Sequence, residues 1–325
     1  MATAARVAEH PVDVRLARIE AERRPHTPLL AAGMLTAVIS LYDRRKITGM
    51  VRRTIDNFDI AQICESGQCF RMQFQKENTY SVIAGERYLE VTWQDGEYIF
   101  DCEETEFEEF WKNYFNLDED YGFYISRIHP GDLYLKHAAE FGCGIRILQQ
   151  DLWEMIVSFL ISQQNNIARI RRCIQNICRK YGEERINAYG EVYYTFPTPE
   201  RLAGLEEDAL KECNLGYRSK YVVRTARSIV SGEVNLEELR QMPYSQAKEE
   251  LLKLYGVGKK VADCICLFAL HHLQAFPVDT HINQALEQHY KQGFPKRRYQ
   301  GFEGVLQQYI FYYELQGQSK VQNSN

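Results

Sequence analysis

At 325 residues the chain is longer than one small domain needs, and 45% hydrophobic with 26% charged residues is the balance of a folded protein, which excludes a disordered one. Nine cysteines at irregular spacing, with no C-x-x-C pair, argue against a disulfide framework and a zinc finger. They point to a reducing compartment, the cytoplasm of a bacterium or the nucleus of a eukaryote. The net charge of −5 does not exclude a nucleic-acid partner, because its distribution is uneven: ten acidic residues face only Lys112 between Glu97 and Asp120, whereas Arg169, Arg171, Arg172, Arg179 and Lys180 form a run of five basic residues without an acid.

Residues 1–49 are rich in Ala and Arg and hold no aromatic before Tyr42, so an N-terminal extension dispensable for activity is expected there. The apolar stretch 29–41 has 13 residues, short of the roughly 20 that span a membrane, and no membrane partner is expected. Residues 50–131 predict an antiparallel sheet domain. Segments 79–84, 88–93 and 98–102 are β-branched and aromatic, and Gly85-Glu86 and Asp95-Gly96 stand where hairpin turns would fall. Aromatics at helical spacing follow over 105–116. From about Asp132 to residue 325 the pattern turns helical and stays so, with helices over 152–161, 167–181, 221–231, 245–254, 259–270, 280–290 and 302–315. The expected fold is α+β, a small N-terminal antiparallel sheet followed by an all-helical body.

The strongest local signal is Leu254-Tyr255-Gly256-Val257-Gly258-Lys259-Lys260, two helices joined by a turn with two glycines. Gly256 and Gly258 permit close backbone approach, and the helix that follows offers free N–H groups at its positive end, a phosphate-binding hairpin that reads no bases. By itself this is equally an ordinary helix–helix turn. Phe276-Pro277-Val278-Asp279-Thr280-His281 adds a carboxylate nineteen residues after Lys260, placed to cap the next helix. Capping is the simpler role; the chemical one is to stabilise positive charge on a sugar. Cys264, four residues beyond Lys260, shares its helix face.

These motifs resemble the helix-hairpin-helix DNA glycosylases that carry a Gly/Pro-rich loop and a catalytic Asp, and within them the 8-oxoguanine DNA glycosylases. The likeness runs from about Phe58 to Leu315, and its most specific block, Val261-Ala262-Asp263-Cys264-Ile265-Cys266-Leu267, sits on the hairpin. The resemblance implies Lys260 as the nucleophile and Asp279 as the catalytic carboxylate of a bifunctional glycosylase and AP lyase. An amine that attacks the anomeric carbon displaces the base and holds the sugar as a Schiff base ready for β-elimination.

It further implies a damaged-base pocket of Gly67, Cys264, Gln307 and Phe311. The Gly67 carbonyl would accept the N7–H found on oxidised guanine alone, Gln307 would bind the pairing edge and Phe311 would stack on the extruded ring. Gln164, in the run Gln163-Gln164-Asn165-Asn166, stands where the family has asparagine and would fill the gap left in the helix. Arg169 and Arg218 would face the orphaned cytosine and Tyr217 would unstack its neighbours. Gly256, Gly258 and His281 would hold the DNA backbone. Without the resemblance, Tyr217 and Phe311 read equally as packing aromatics and the four amides as a polar linker. No cofactor, no metal and no iron–sulfur cluster are expected, while a structural cation on the hairpin carbonyls stays open. The expected partner is double-stranded DNA containing an oxidised purine, bound by a monomer. An endonuclease III-like enzyme would carry four C-terminal cysteines, and the chain has none after Cys266. A non-catalytic DNA-binding module and a glycosylase for another damaged base are the remaining alternatives.

Overall fold

The structure is a computed structural model that describes residues 49–322. The extension expected over 1–49, with its apolar stretch, lies outside the described residues except for Gly49. Among the described residues no helix is long and apolar enough to cross a membrane.

Five strands, β1 (Val51–Arg53), β2 (Met72–Lys76), β3 (Thr79–Ala84), β4 (Arg87–Gln94) and β5 (Glu97–Phe100), form an antiparallel sheet in the order β1-β5-β4-β3-β2. The register is set by the two expected turns, since Ala84 pairs with Arg87 across Gly85-Glu86 and Gln94 with Glu97 across Asp95-Gly96. Both Asp95 (φ 54°) and Gly96 (φ 86°) are left-handed, the geometry that matches a turn to the strands' own twist. One sheet face buries Met72, Val82, Leu89, Val91 and Phe100 against Phe58, Ile63, Trp111 and Phe115, the last two from the aromatic segment that follows β5. That segment is helical over Glu104–Glu106, Phe107–Trp111 and Lys112–Tyr114, with a π turn in the middle. The π turn keeps Phe107, Trp111 and Tyr114 buried together.

The helical body is built around α2 (Leu152–Ser162), following a first helix α1 (Ile60–Glu65) beside the sheet. Leu152 to Ile161 are all buried, so α2 is the central strut. Next, α3 (Ile167–Tyr181) buries Ile170, Cys173, Ile174, Ile177 and Cys178 at helical spacing and leaves Arg169, Arg172, Arg179 and Lys180 exposed. Then come α4 (Arg218–Val230), α5 (Tyr244–Leu251), α6 (Lys259–Phe268), α7 (Thr280–His289) and α8 (Glu303–Gln322). The body is not all-helical as the sequence pattern led us to expect: β6 (Glu184–Ile186) and β7 (Val192–Tyr194) form a two-stranded hairpin between α3 and α4. Each strand is only three residues long, too short for alternation to register, and the turn is held by Asn187 accepting from the N–H groups of Tyr189 and Glu191.

Sheet and body are joined by a buried cation. Arg146, 4% exposed, donates Nε to the Asn57 carbonyl (3.0 Å), Nη1 to those of Asn116 (2.8 Å) and Glu119 (2.9 Å), and Nη2 to that of Asp56 (2.8 Å). Its guanidinium also stacks on Tyr121, and burial pulls its pKa below the ordinary arginine value. Removing a donor shared by four carbonyls, one in a buried bond and three in half-buried ones, costs about 1–3 kcal/mol for the buried partner and less for each of those that water can reach. Arg146→Met is expected to lower the unfolding free energy by about 3–5 kcal/mol in urea titration; a loss below 1 kcal/mol would show that water satisfies these carbonyls equally well.

Candidate active site

The turn between α5 and α6 is tighter than the sequence suggests. Helix α5 ends at Leu251, and the bonds from Leu254 N–H to Leu251 O and from Val257 N–H to Leu254 O carry the chain round to α6. Gly256 alone of the two hairpin glycines is left-handed (φ 90°), and a Cβ there would lie 2.7 Å from Cγ of Tyr221. Gly258 is extended (φ −96°) and serves as the N-cap of α6. The two helices are clamped by Asp263 of α6, whose Oδ1 accepts from the Tyr244 hydroxyl and pairs with the Lys248 ammonium of α5, both at 2.6 Å. Lys260 is thereby fixed in the first turn of α6. Asp279 caps α7 by accepting from the Ile282 N–H at 2.9 Å, so its carboxylate sits at a second helix N-terminus.

These two ends open onto one cavity of about 510 Å³. Its lining includes Lys260, Cys264, Asp279 and His281, Gly67 from the loop after α1, Gln307 and Phe311 from α8, and Gln164 from the loop after α2. Apolar walls come from Phe159 and Phe268, stacked at 5.5 Å, and the Lys260 ammonium lies 5.6 Å from the Phe159 ring centre. Cys264 is buried, and burial pushes its thiol above the ordinary value while the neighbouring Lys260 pulls the other way. Gln307 is 4% exposed and lines the cavity, and its buried Oε1 has no hydrogen-bond partner among the described residues. Gly67 is left-handed (φ 74°), and a Cβ there would stand 3.0 Å from Cε1 of Phe311, whose other neighbour is the His281 ring, edge-on at 5.9 Å. His281 lines the cavity beside Phe311.

The remaining expected residues, Arg169, Tyr217 and Arg218, are not among those that line the cavity. Arg169 is exposed at the start of α3, and Tyr217 is 43% exposed just before α4. Arg218 departs from expectation. It is 4% exposed and turned inward, donating Nε to the Gln163 carbonyl (2.8 Å) and Nη2 to that of Gln164 (2.9 Å), with its guanidinium over the Tyr217 ring. A loop with two free carbonyls needs a buried donor, and that demand takes the guanidinium away from the surface. Sequence reasoning also missed the residues that hold the Gly67 loop. Gln68 donates to the Arg146 carbonyl and accepts from the Leu148 N–H, both at 2.9 Å, and Gln308 donates to the Ser66 carbonyl. The signal was Gln307-Gln308 as consecutive amides in the otherwise apolar stretch 305–311. Among the described residues no group of three or more His, Cys, Asp or Glu side chains could hold a metal ion.

A sheet leading into a helical body, with a glycine hairpin presenting a lysine beside a capping aspartate, defines a helix-hairpin-helix base-excision protein. Comparison with known proteins agrees. Residues 50–156 match the 8-oxoguanine DNA glycosylase N-terminal domain, and residues 157–298 match the HhH-GPD superfamily of base excision DNA repair proteins. The probable N-glycosylase/DNA lyase of Methanothermobacter thermautotrophicus is 30% identical over 66% of this chain and 72% of its own length. The N-glycosylase/DNA lyase of Saccharomyces cerevisiae is 38% identical over 46% of this chain, which spans only 42% of the yeast protein. Among solved structures, the Clostridium acetobutylicum 8-oxoguanine glycosylase/lyase in complex with double-stranded DNA containing cytosine opposite 8-oxoguanine superposes with a TM-score of 0.78 at 37% identity, covering 83% of this chain and 96% of that one. The chain belongs to the 8-oxoguanine DNA glycosylase family of the HhH-GPD superfamily.

Gly67 gives a direct check of the cavity. Alanine at its left-handed φ costs about 1 kcal/mol, and the added methyl crowds the Phe311 ring. Gly67→Ala is expected to remain folded and to lose about 1–2 kcal/mol in urea unfolding; unchanged stability would mean that the loop does not keep this conformation.

Proposed function

We propose that this chain excises 8-oxoguanine from double-stranded DNA as a monomer and then cuts the strand through a lysine Schiff base. The observation that carries the reading is the single cavity in which Lys260 and Asp279 meet Gly67, Cys264, Gln307 and Phe311. A base turned out of the helix enters against Phe311, with the unpartnered Gln307 oxygen ready to accept from its pairing edge and the Gly67 loop from its N7–H. Unmodified guanine carries an acceptor at N7 and is disfavoured by about 1–3 kcal/mol for each unmatched polar contact.

The neutral Lys260 amine attacks C1′ of the extruded nucleotide, and the bond to the base breaks with its electron pair leaving on the base, which takes up a proton. Asp279 stabilises positive charge on the sugar as that bond lengthens. Loss of the amine proton and ring opening leave a Schiff base between Lys260 and C1′. Removal of a proton from C2′ then expels the 3′ phosphate. No cofactor enters any of these steps. The nine cysteines are all unpaired, which fits work in a reducing compartment that holds the genome.

On the strand left behind, Arg169 is the exposed guanidinium that meets cytosine, whose pairing edge offers two acceptors where adenine offers one. Arg218 contributes from beneath by holding the loop.

Lys260→Gln is expected to abolish both excision and the borohydride-trapped adduct while leaving duplex binding intact. Wild-type-like trapping by that variant moves the nucleophile elsewhere, first to Lys259. Cleavage of duplexes with 8-oxoguanine opposite each of the four bases should be fastest opposite cytosine. Arg169→Ala should narrow the cytosine-to-adenine ratio by the equivalent of about 1–3 kcal/mol at fixed salt. An unchanged ratio removes Arg169 from opposite-base recognition.

A further inference from the structure

Gln164 is held at φ 47°, a left-handed backbone that glutamine rarely adopts, at the mouth of the cavity. Such a conformation persists only where its surroundings over-determine it. The neighbours supply that constraint from two sides. From below, Arg218 binds the carbonyls of both Gln163 and Gln164. From the side, the Gln163 amide donates to the Gly256 carbonyl at 3.0 Å, 93 residues away in the chain, and to the Leu160 carbonyl at 3.3 Å. The circuit closes through aromatics: Tyr217, which carries the Arg218 guanidinium, packs edge-on against Tyr221 at 5.6 Å. Tyr221 in turn lies against Gly256 and packs edge-on against Tyr255 at 5.4 Å. Hairpin, loop and Tyr217 are thus one closed ring of contacts, in which Gln163 bonds the Gly256 carbonyl on one side and Arg218, which stacks on Tyr217, on the other.

We infer that Gln163 is a positioning residue for base extrusion. Its amide locks the loop that fills the helix to the hairpin that binds the backbone, so that seating a phosphate on Gly256–Gly258 and inserting Gln164 happen as one event. The inference rests on the reading of Gln164 as the gap-filling side chain. It assigns Gln163 no contact with the reacting atoms, which separates its effect from that of Lys260 or Asp279. A substrate whose sugar needs no extrusion should not feel its loss.

The test uses the full chain with Gln163→Met, which keeps the side-chain length but removes the donor, and Gln163→Ala. Two single-turnover reactions are compared: excision of 8-oxoguanine opposite cytosine in a duplex, and lyase cutting at an abasic site in single-stranded DNA. Loss of the lock is expected to slow duplex excision about 10–100-fold, the scale of a small misplacement of reacting groups, and single-strand lyase by less than about twofold. A 2-aminopurine placed beside the lesion should brighten less and more slowly in both variants. Equal slowing of the two reactions would make Gln163 merely structural, and an unchanged duplex rate would remove it from extrusion; either result overturns the inference. A wild-type chain that leaves the 8-oxoguanine duplex uncut overturns the reading of the pocket itself, an outcome visible before any variant is compared.

Discussion

Gly256 turns the chain at φ 90° directly under the ring of Tyr221, with no room for a side chain between them. The rest of the site depends on this contact. Because the turn is closed, α6 begins at Lys259 and its first turn faces the cavity, which fixes where the Lys260 amine can reach. The Gly256 carbonyl anchors the Gln163 amide, and the clamp of Asp263 on Tyr244 and Lys248 holds α5 and α6 at one angle. A looser turn would move the Lys260 amine, the Gln163–Gln164 loop and the start of α6 at once. Geometry of this kind matters because covalent attack needs reacting atoms about 3–3.5 Å apart and aligned.

The cavity follows a division of labour between apolar walls and a few polar ends. Phe159, Phe268 and Phe311 provide apolar surface, while Gln307, Cys264 and the Gly67 loop bring polar groups to the same cavity. The unpartnered Gln307 oxygen costs the protein about 1–3 kcal/mol that a matching donor on the ligand would offset. Its neighbour Gln308 and the buried Gln68 spend their amides on the Gly67 loop and on the carbonyl of Arg146. Of these two adjacent amides on α8, Gln308 is bonded to the Ser66 carbonyl, whereas the Gln307 oxygen has no partner among the described residues.

Much of this was legible in the chain itself. Strands β3, β4 and β5 follow from their β-branched and aromatic residues and from their turns, because such side chains suit a pleated surface and a two-residue turn must admit left-handed φ. Helix α3 follows from apolar residues at positions 170, 173, 174, 177 and 178, and α7 from the capping carboxylate of Asp279. Lys260 and Asp279 stood out as local patterns with local physical causes, a lysine after a glycine hairpin and an aspartate before a helix, whereas Gln307 and Phe311 were named only through the resemblance to the 8-oxoguanine DNA glycosylases.

What the sequence by itself determined, then, was set by neighbours within a few residues: periodicity, caps, turns and the spacing of Lys260, Cys264 and Asp279. The tertiary structure decided whatever depends on which distant group satisfies a buried one. Strand β1 exists because Val51 finds Phe100, and β2 holds only Met72 buried, so neither shows an apolar pattern of its own. Arg146 and Arg218 are both arginines beside polar loops, and nothing nearby distinguishes them from the exposed Arg169. Their burial is fixed by carbonyls far along the chain, four for Arg146 and those of Gln163 and Gln164 for Arg218. Such carbonyls lose water on folding and must be paired, and only the assembled fold determines which donor is close enough to pair them.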